Sequence, residues 1–269
     1  MCRVNEMGEL VSMVVGFHAE YTTSMERMED VAKLASKYKS PVFLHNSETE
    51  REVKECIDRW GKTPTQLTEA LGMYEYGGGG YHCVWFSDED FEIYKRRGLT
   101  AVTNPASNLK LASGIAPISR FLDEGISLAI GTDGASSNNA LDMFREMYLT
   151  TALAKVRERD ASAVPAEDVL YMATAGAKAM GLTDCDRLAE GKKADLIMID
   201  LKQPNMQPEN DILKNLVYSG SKQNVKMTMV DGRILYENGS FHIGFDPGDI
   251  YARANEIIQR INREAGFGQ

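Results

Sequence analysis

A histidine and a glutamate three positions apart, His45 and Glu48, are the residues of this 269-residue sequence that most directly suggest chemistry. Imidazole nitrogens bind zinc or iron, and a carboxylate close to a metal can move protons to and from water. The same pair is equally typical of a structural histidine followed by a glutamate at the start of a helix. So short a motif does not separate the two interpretations.

Further residues are candidates, each with a structural alternative. Asp133, in the sequence Gly-Thr-Asp-Gly, could bind a metal or act as a base, although an aspartate there is more often a turn or cap residue. His82 and His18, taken singly, are more typical of packed structural residues than of catalysts. Cys83 is interpreted as a buried, unreactive thiol, and His242 is given no role.

The hydrophobic pattern places these residues on a regular series of strands and helices. Strands are predicted at 11–17, 41–44, 81–86, 99–103 and 126–130, with helices between them and a loop at 77–80. A helix after the first strand is predicted to begin with a capping box at 23–26. Strands that alternate with helices predict a parallel sheet, so the fold class is α/β.

Polar residues occur where the predicted strands end: His18, His45, His82, Asn104 and Asp133. In a (β/α) barrel the active site forms at the C-terminal ends of the strands. Chance would scatter such residues over helices and loops as well. Their joint placement therefore favours a metal-assisted hydrolytic site.

The rest of the chain predicts helices at about 141–157 and 165–180, then strands at 196–200, 225–230 and 233–236. Asp231 and Gly232 between the last two strands indicate a type I′ hairpin. A final amphipathic helix is predicted at about 249–264. We expect a partial catalytic-type barrel at 1–189, part of a small β-sandwich at 190–245 and a C-terminal helix at 246–269.

Composition excludes several classes of partner. The net charge of −9 leaves no basic surface for a nucleic acid, so we expect none. No apolar run reaches the roughly 18 residues that a membrane span needs, and the N-terminus lacks the apolar segment of a signal peptide. The four cysteines form no CxxC pair, which predicts a reduced, cytoplasmic protein.

Taken in order, the motifs of this chain closely resemble the amidohydrolase superfamily, and within it the methylthioadenosine/S-adenosylhomocysteine deaminase and chlorohydrolase branch. The resemblance runs from about residue 9 to the C-terminus. The segments that carry it are His-Asn-Ser-Glu-Thr at 45–49, Tyr-His-Cys-Val at 81–84, the stretch 104–117, the stretch 131–139 and Gly-Lys-Lys-Ala-Asp-Leu at 191–196.

The resemblance implies a (β/α)₈ TIM barrel with a small β-sandwich and one divalent metal, zinc or iron. It implies that His45 and Asp133 are metal ligands and that Asp133 also acts as a base toward the attacking water. Glu48 would carry a proton to a ring nitrogen of the substrate, and His82 would polarise the substrate or the water. His18 would contact the substrate. The implied reaction is hydrolytic deamination of an aminated purine-like ring of the adenosine-derivative class.

This sequence departs from the family pattern in ways that matter for the site. No His-x-His pair occurs in the chain, although the family's first strand ends in that pair and takes two metal ligands from it. The resemblance places strands four to eight here and leaves out strands one to three. Glu20 stands where relatives usually have proline, and Thr103 where they often have histidine.

A barrel that lacks three strands has two open sheet edges, so we expect a homo-oligomer or a complementing second chain as partner, beside a small-molecule substrate. The metal could be absent, because two ligands do not complete a zinc site. Two other functions remain open. The chain could be an inactive or incomplete fragment, or a chlorohydrolase or other C–N hydrolase on the same fold.

Overall fold

Five parallel strands form the first sheet of the computed structural model, which describes residues 10–267. They are β1 (Val15–Gly16), β2 (Val42–Asn46), β3 (Gly78–His82), β4 (Thr100–Thr103) and β5 (Ser127–Ile130), and they pair in sequence order. The predicted α/β class and parallel sheet are confirmed, and the arrangement is of the TIM-barrel type. Within the described residues, the outer edges of β1 and β5 have no strand partner.

Helices connect these strands and cover the sheet. They are α1 (Met25–Tyr38), α2 (Glu50–Trp60), α3 (Pro64–Ala70), α4 (Asp88–Arg97), α5 (Pro105–Lys110) and α6 (Ile118–Asp123). The capping box predicted at 23–26 is wrong, because Ser24 is the N-cap, its hydroxyl accepts from the Arg27 N–H, and the third helical residue is then Arg27 rather than a glutamate. The short α5, which begins at Pro105, was not predicted.

The third strand lies earlier in the chain than its sequence suggested. Residues 77–80 were predicted as a loop and 81–86 as the strand, whereas β3 is Gly78–His82. A Cβ atom on Gly78 would overlap the carbonyl oxygen of Val42, and one on Gly79 would overlap that of Thr100. Glycine is therefore required by the close approach of both neighbouring strands, and its low strand propensity is overridden.

The remaining helices differ in part from the prediction. They are α7 (Met143–Glu158), α8 (Ala166–Thr174), α9 (Gly176–Ala179), α10 (Ile212–Tyr218) and α11 (Pro247–Glu264). The single helix predicted at 165–180 is divided at Ala175, whose N–H bonds three residues back to the Met172 carbonyl. The seven-residue α10 was not predicted. None of the helices in residues 10–267 is both long and apolar enough to span a membrane.

An antiparallel second sheet follows the helices α7 to α9. It contains β6 (Leu196–Ile199), β7 (Val225–Val230), β8 (Arg233–Glu237) and β9 (Ser240–Phe241) in that order. Asp231 and Gly232 both have positive φ angles, 49° and 76°. A type I′ turn needs this conformation, so the predicted hairpin is confirmed.

The main hydrophobic core lies between the parallel sheet and the helices that pack on its outer face. Its largest buried members include Tyr74, Phe91, Tyr94, Phe121 and Met172. A second, smaller cluster, which contains Met28, Val42 and Met73, lies under α1 and α2. Burial of these side chains fixes the strands that carry the polar residues at their C-terminal ends.

A buried carboxylate closes the N-terminus of α2. Glu52 is only 4% exposed, and it accepts the backbone N–H groups of Ser47, Glu48 and Thr49 at 3.0, 2.7 and 3.3 Å. Desolvation raises the pKa of Glu52 from its ordinary value of 4.5 to about 7, and the three backbone hydrogen bonds only partly oppose this. The carboxylate therefore holds the whole turn between β2 and α2.

Replacement of a glycine in β3 tests the close approach of the strands. We expect Gly79→Ala to lower the free energy of unfolding by about 3 kcal/mol, because its methyl group overlaps backbone that cannot move independently. Gly176→Ala in α9 is the matched control, since a Cβ there meets nothing within 4 Å, and it should stabilise by about 0.5 kcal/mol. Denaturant unfolding measures both, and equal stabilities of the two variants would contradict the explanation.

The raised pKa of Glu52 gives a defined pH dependence. Between about pH 4.5 and 7 the folded protein holds a proton that the unfolded chain has released, so this group's contribution to stability falls as pH rises through that window. Glu52→Gln removes the contribution. The unfolding free energy of the wild type relative to the variant should therefore decrease from pH 5 to pH 7.5. Parallel pH profiles for the two proteins would show that Glu52 does not titrate there.

Candidate functional site

Three histidines lie side by side at the C-terminal edge of the parallel sheet. His18 follows β1, His45 is in β2 and His82 ends β3. The ring centroids of His18 and His45 are 4.5 Å apart, and those of His45 and His82 are 5.4 Å apart. The parallel pairing of consecutive strands therefore brings together residues that are 27 and 37 positions apart in the sequence.

Hydrogen bonds fix which ring nitrogens of the first two histidines are free. The Nδ1 atom of His45 is 2.8 Å from the His18 carbonyl oxygen, and since a carbonyl only accepts, Nδ1–H is the donor. The Thr22 hydroxyl donates to the Ala19 carbonyl, so His18 Nδ1–H, 2.9 Å away, donates to Thr22. In the neutral ring the single proton therefore lies on Nδ1, and Nε2 is the nitrogen that could bind a metal.

His82 is almost fully buried, with 1% exposure, and its backbone is in the left-handed region with φ 72°. Such backbone strain in a non-glycine residue is typical of functional sites. Its Nδ1–H donates to Asn108 Oδ1 at 2.7 Å, so in the neutral ring Nε2 is the acceptor nitrogen. Within residues 10–267 that Nε2 has no hydrogen-bond partner. A buried acceptor of this kind is available for a polar ligand atom.

Glu48 faces His82 across the site. Its Oε2 is 3.7 Å from His82 Nε2, and its side chain is 13% exposed. The Ser113 hydroxyl donates to Oε1 at 2.8 Å, and the indole N–H of Trp85 holds the Ser113 carbonyl at 2.7 Å. The carboxylate is therefore oriented from one side and open toward His82 on the other.

The turn that carries Glu48 rests on a buried amide. Asn46 donates to the hydroxyls of Tyr74 and Tyr94 at 3.2 and 3.0 Å, and its Oδ1 accepts from the hydroxyls of Ser47 and Thr65 at 3.0 and 3.1 Å. Glu52 accepts backbone N–H groups of the same turn, so hydrogen bonds of both Asn46 and Glu52 hold the turn in place. The sequence predicted no role for Asn46, and the one local sign of Glu52 was the Thr-x-x-Glu capping box at 49–52.

Asp133 follows β5 and lies in the left-handed region with φ 58°. The Ser107 hydroxyl donates to its Oδ2 at 2.5 Å, and the Gly134 N–H donates to its Oδ1 at 2.6 Å. Desolvation alone would raise the pKa of Asp133, but hydrogen bonds from Ser107, Ser137 and Gly134 lower it below its ordinary value. Asp133 is therefore ionised at neutral pH.

Glu20, the residue that departs from the family pattern beside His18, serves a different purpose. It is buried, and its Oε1 accepts from the Arg59 guanidinium on α2 at 2.6 Å. The ion pair directs the carboxylate toward α2. Thr103, the second departure, is buried at the end of β4.

The donor chemistry of the site suits zinc, but the described residues do not complete a zinc centre. His45 Nε2 and an ionised Asp133 are typical zinc ligands. In the part of the chain that the structure describes, no group of three or more His, Cys, Asp or Glu residues is arranged to hold a metal ion. The sequence predicts two ligands from this chain, His45 and Asp133, where zinc normally takes three or four from protein.

Curated relatives are similar in sequence to this chain over most of its length. The 5-methylthioadenosine/S-adenosylhomocysteine deaminase of Caldanaerobacter subterraneus subsp. tengcongensis is 41% identical over 229 residues, which are 84% of this chain and 53% of that protein. The 5'-deoxyadenosine deaminase of Methanothermobacter thermautotrophicus is 38% identical over 234 residues, 87% of this chain and 55% of that protein. The chain thus spans about half the length of the curated relatives it matches.

Solved structures show the same fold. An adenosine deaminase from Xanthomonas campestris with bound zinc superposes with a TM-score of 0.90 at 32% identity, over 97% of this chain and 61% of that one. Atrazine chlorohydrolase TrzN from Arthrobacter aurescens, complexed with zinc, gives a TM-score of 0.78 at 25% identity, over 87% and 52%. The amidohydrolase family pattern matches residues 4–235. Since that match covers well over half of the sequence and agrees with the fold, the chain belongs to the amidohydrolase family.

Proposed function

We propose that this chain carries the proton-transfer and substrate side of a hydrolytic deaminase site that acts on the adenine-like ring of a 5'-modified adenosine. The observation that carries the proposal is the pair of Glu48 and the unpartnered Nε2 of buried His82, 3.7 Å apart. The similarity of this sequence to deaminases of adenosine derivatives supports the substrate class.

His45 and Asp133 are the residues that would hold a divalent metal, and zinc is bound in the similar structures. When bound, such an ion supplies Lewis acidity that makes water nucleophilic at neutral pH. The chain contains no His-x-His pair, so we propose that the remaining ligands come from the portion of its relatives that this sequence does not match.

The residues of this chain divide the proton transfers between them. Ionised Asp133 accepts a proton from the attacking water, and His82 Nε2 accepts a hydrogen bond that orients the water toward the ring carbon. Glu48 gives its proton to the adjacent ring nitrogen and regains one from the hydroxyl that the water leaves on the ring carbon, while Asp133 passes its proton to the amino group. The carbon–nitrogen bond then breaks, ammonia leaves and the oxygen stays on the ring carbon as a carbonyl. His18, whose Nε2 is unprotonated, contacts the substrate beside the reacting ring.

A second candidate is a chain that turns over substrate only after another polypeptide supplies the missing strands and ligands. The unpaired edges of β1 and β5 and the incomplete donor set of the described residues favour it. In this arrangement residues 1–189 form the catalytic part, 190–245 the partial β-sandwich and 246–269 the terminal helix. The partner is a second chain of complementary sequence or another copy of this one.

Ammonia release tests the proposed reaction. Wild-type protein supplied with zinc should release ammonia from 5'-methylthioadenosine, alone or after addition of a polypeptide that corresponds to the unmatched part of a relative. Glu48→Gln should lower kcat by about 100-fold or more with little change in KM, because it removes proton transfer and keeps the side chain's shape. Glu50→Gln, an exposed acid two residues away, is the matched control and should behave as the wild type.

Three results would count against this proposal. A zinc-loaded, complemented protein that releases no ammonia would overturn it. Chloride release from a 6-chloropurine nucleoside, in the absence of deamination, would favour a chlorohydrolase. Equal kcat values for Glu48→Gln and the wild type would remove Glu48 from the proton path.

Zinc affinity tests the ligand assignment separately from turnover. His45→Ala should weaken zinc binding by about 100-fold or more, since even loss of a residue that only orients a ligand costs 10–100-fold. His242→Ala, which alters an exposed histidine after β9, is the control and should leave the affinity unchanged. Competition with a chromophoric chelator measures both. If His45→Ala binds zinc as tightly as the wild type, His45 is not a ligand.

A further inference from the structure

A buried carboxylate on α7, Glu146, takes no part in the proposed chemistry. It is 0% exposed, and burial raises its pKa. Its Oε2 accepts the Ala106 backbone N–H at 3.0 Å, and its Oε1 accepts the Asn138 side-chain amide at 2.7 Å. In the described part of the chain neither oxygen is paired with a cation. Such burial is costly, so the contacts of this carboxylate call for an explanation.

Capping of its own helix does not account for Glu146. The N-cap of α7 is Asp142, whose Oδ1 already accepts the Phe144 N–H at 3.1 Å. By contrast, the buried acids Glu52 and Asp90 lie third in their helices and close capping boxes there. Glu146 instead extends from its own helix to two other elements.

Those two elements meet at Asp133. Ala106 precedes Ser107, whose hydroxyl donates to Asp133 Oδ2 at 2.5 Å. Asn138 also donates to the carbonyl of Thr132, the residue before Asp133, at 2.6 Å. One carboxylate thus holds the start of α5, which supplies the donor to Asp133, and the loop after β5, which supplies Asp133 itself.

Only a carboxylate can make this connection. Both groups that reach Glu146 are N–H donors, so the site needs two acceptor oxygens. A glutamine would turn its own NH₂ group toward one of them, which would leave two donors facing each other in a buried place. The chemistry of the contact therefore explains why a costly charge is buried where a neutral amide would fit by size.

We propose that Glu146 is a positioning residue that sets the orientation of Asp133 relative to Ser107. Its consequences for zinc binding and turnover rest on the proposed function, whereas its effect on the two elements does not. Loss of the carboxylate should free the start of α5 and the 132–139 loop from each other. Asp133 would then occupy its ligand position for a smaller fraction of the time.

Glu146→Gln tests the proposal with two measurements. In the metal-free protein, amide hydrogen exchange should become faster at Ala106 and in residues 132–139 and stay unchanged in α2. In the metal-binding assay, zinc affinity should fall by about 10–100-fold, the usual effect of losing a group that orients a ligand. The matched control is Asp90→Asn, another fully buried carboxylate, which should lose stability and keep zinc affinity.

A double-mutant cycle with Ser107→Ala tests the route. If Glu146 acts on Asp133 through Ser107, the loss of zinc affinity in the double variant should be smaller than the sum of the two single losses. Fully additive losses would overturn this route. If Glu146→Gln fails to fold, Asn138→Ala takes its place, since it breaks one of the two connections and should accelerate exchange in residues 132–139.

Failure of the proposed function and failure of this inference give different results. Wild-type protein that binds no zinc in any complemented form would contradict the metal site, and hydrogen exchange alone would then decide the role of Glu146. Unchanged exchange at Ala106 and in the 132–139 loop would overturn the inference. So would a folded Glu146→Gln variant with wild-type zinc affinity, because a purely structural role lowers stability without moving that affinity.

Discussion

The close approach of β3 to its neighbours is the constraint on which the site depends. Because Gly78 and Gly79 carry no side chains, the backbone of β3 lies directly against Val42 on one side and Thr100 on the other. A Cβ atom on Gly80 would come within 2.6 Å of both Asn46 and the Tyr94 hydroxyl. The bare strand therefore leaves room for the buried amide that supports the turn before α2.

Buried polar groups, each with its hydrogen bonds made, then direct the functional side chains. Asn46 and Glu52 fix the turn of Glu48 from two sides, and Asn108 holds the ring of His82. Each of these groups loses hydration on folding, so each is stable only because its partners are in place. The resulting hydrogen-bonded arrangement is rigid. Electrostatic catalysis requires such rigidity, because the groups then need no reorganisation during the reaction.

Two features of the described residues bear together on the proposed site: the open edges of the parallel sheet and the small number of grouped metal-binding side chains. Within residues 10–267 the outer edges of β1 and β5 have no strand partner, where a closed barrel would pair them, and zinc needs more ligands than these residues group together. Both needs are met if additional strands complete the barrel and bring ligands at their ends. The proton-transfer residues of the proposed site require no such addition, since their supporting contacts lie within the described chain.

Local physics determined much of this protein from sequence alone. Hydrophobic periodicity, helix caps and the Asp-Gly turn predicted four of the five parallel strands and the hairpin, because each depends on residues near one another in the chain. The placement of His18, His45 and Asp133 at or just after the C-terminal ends of strands followed from the same pattern. Only the tertiary structure decided that β3 is the glycine run and that Asn108, Ser107 and Glu146 support the site. Those contacts join residues 26 to 40 positions apart, and a close approach between distant segments leaves no local pattern from which it could be predicted.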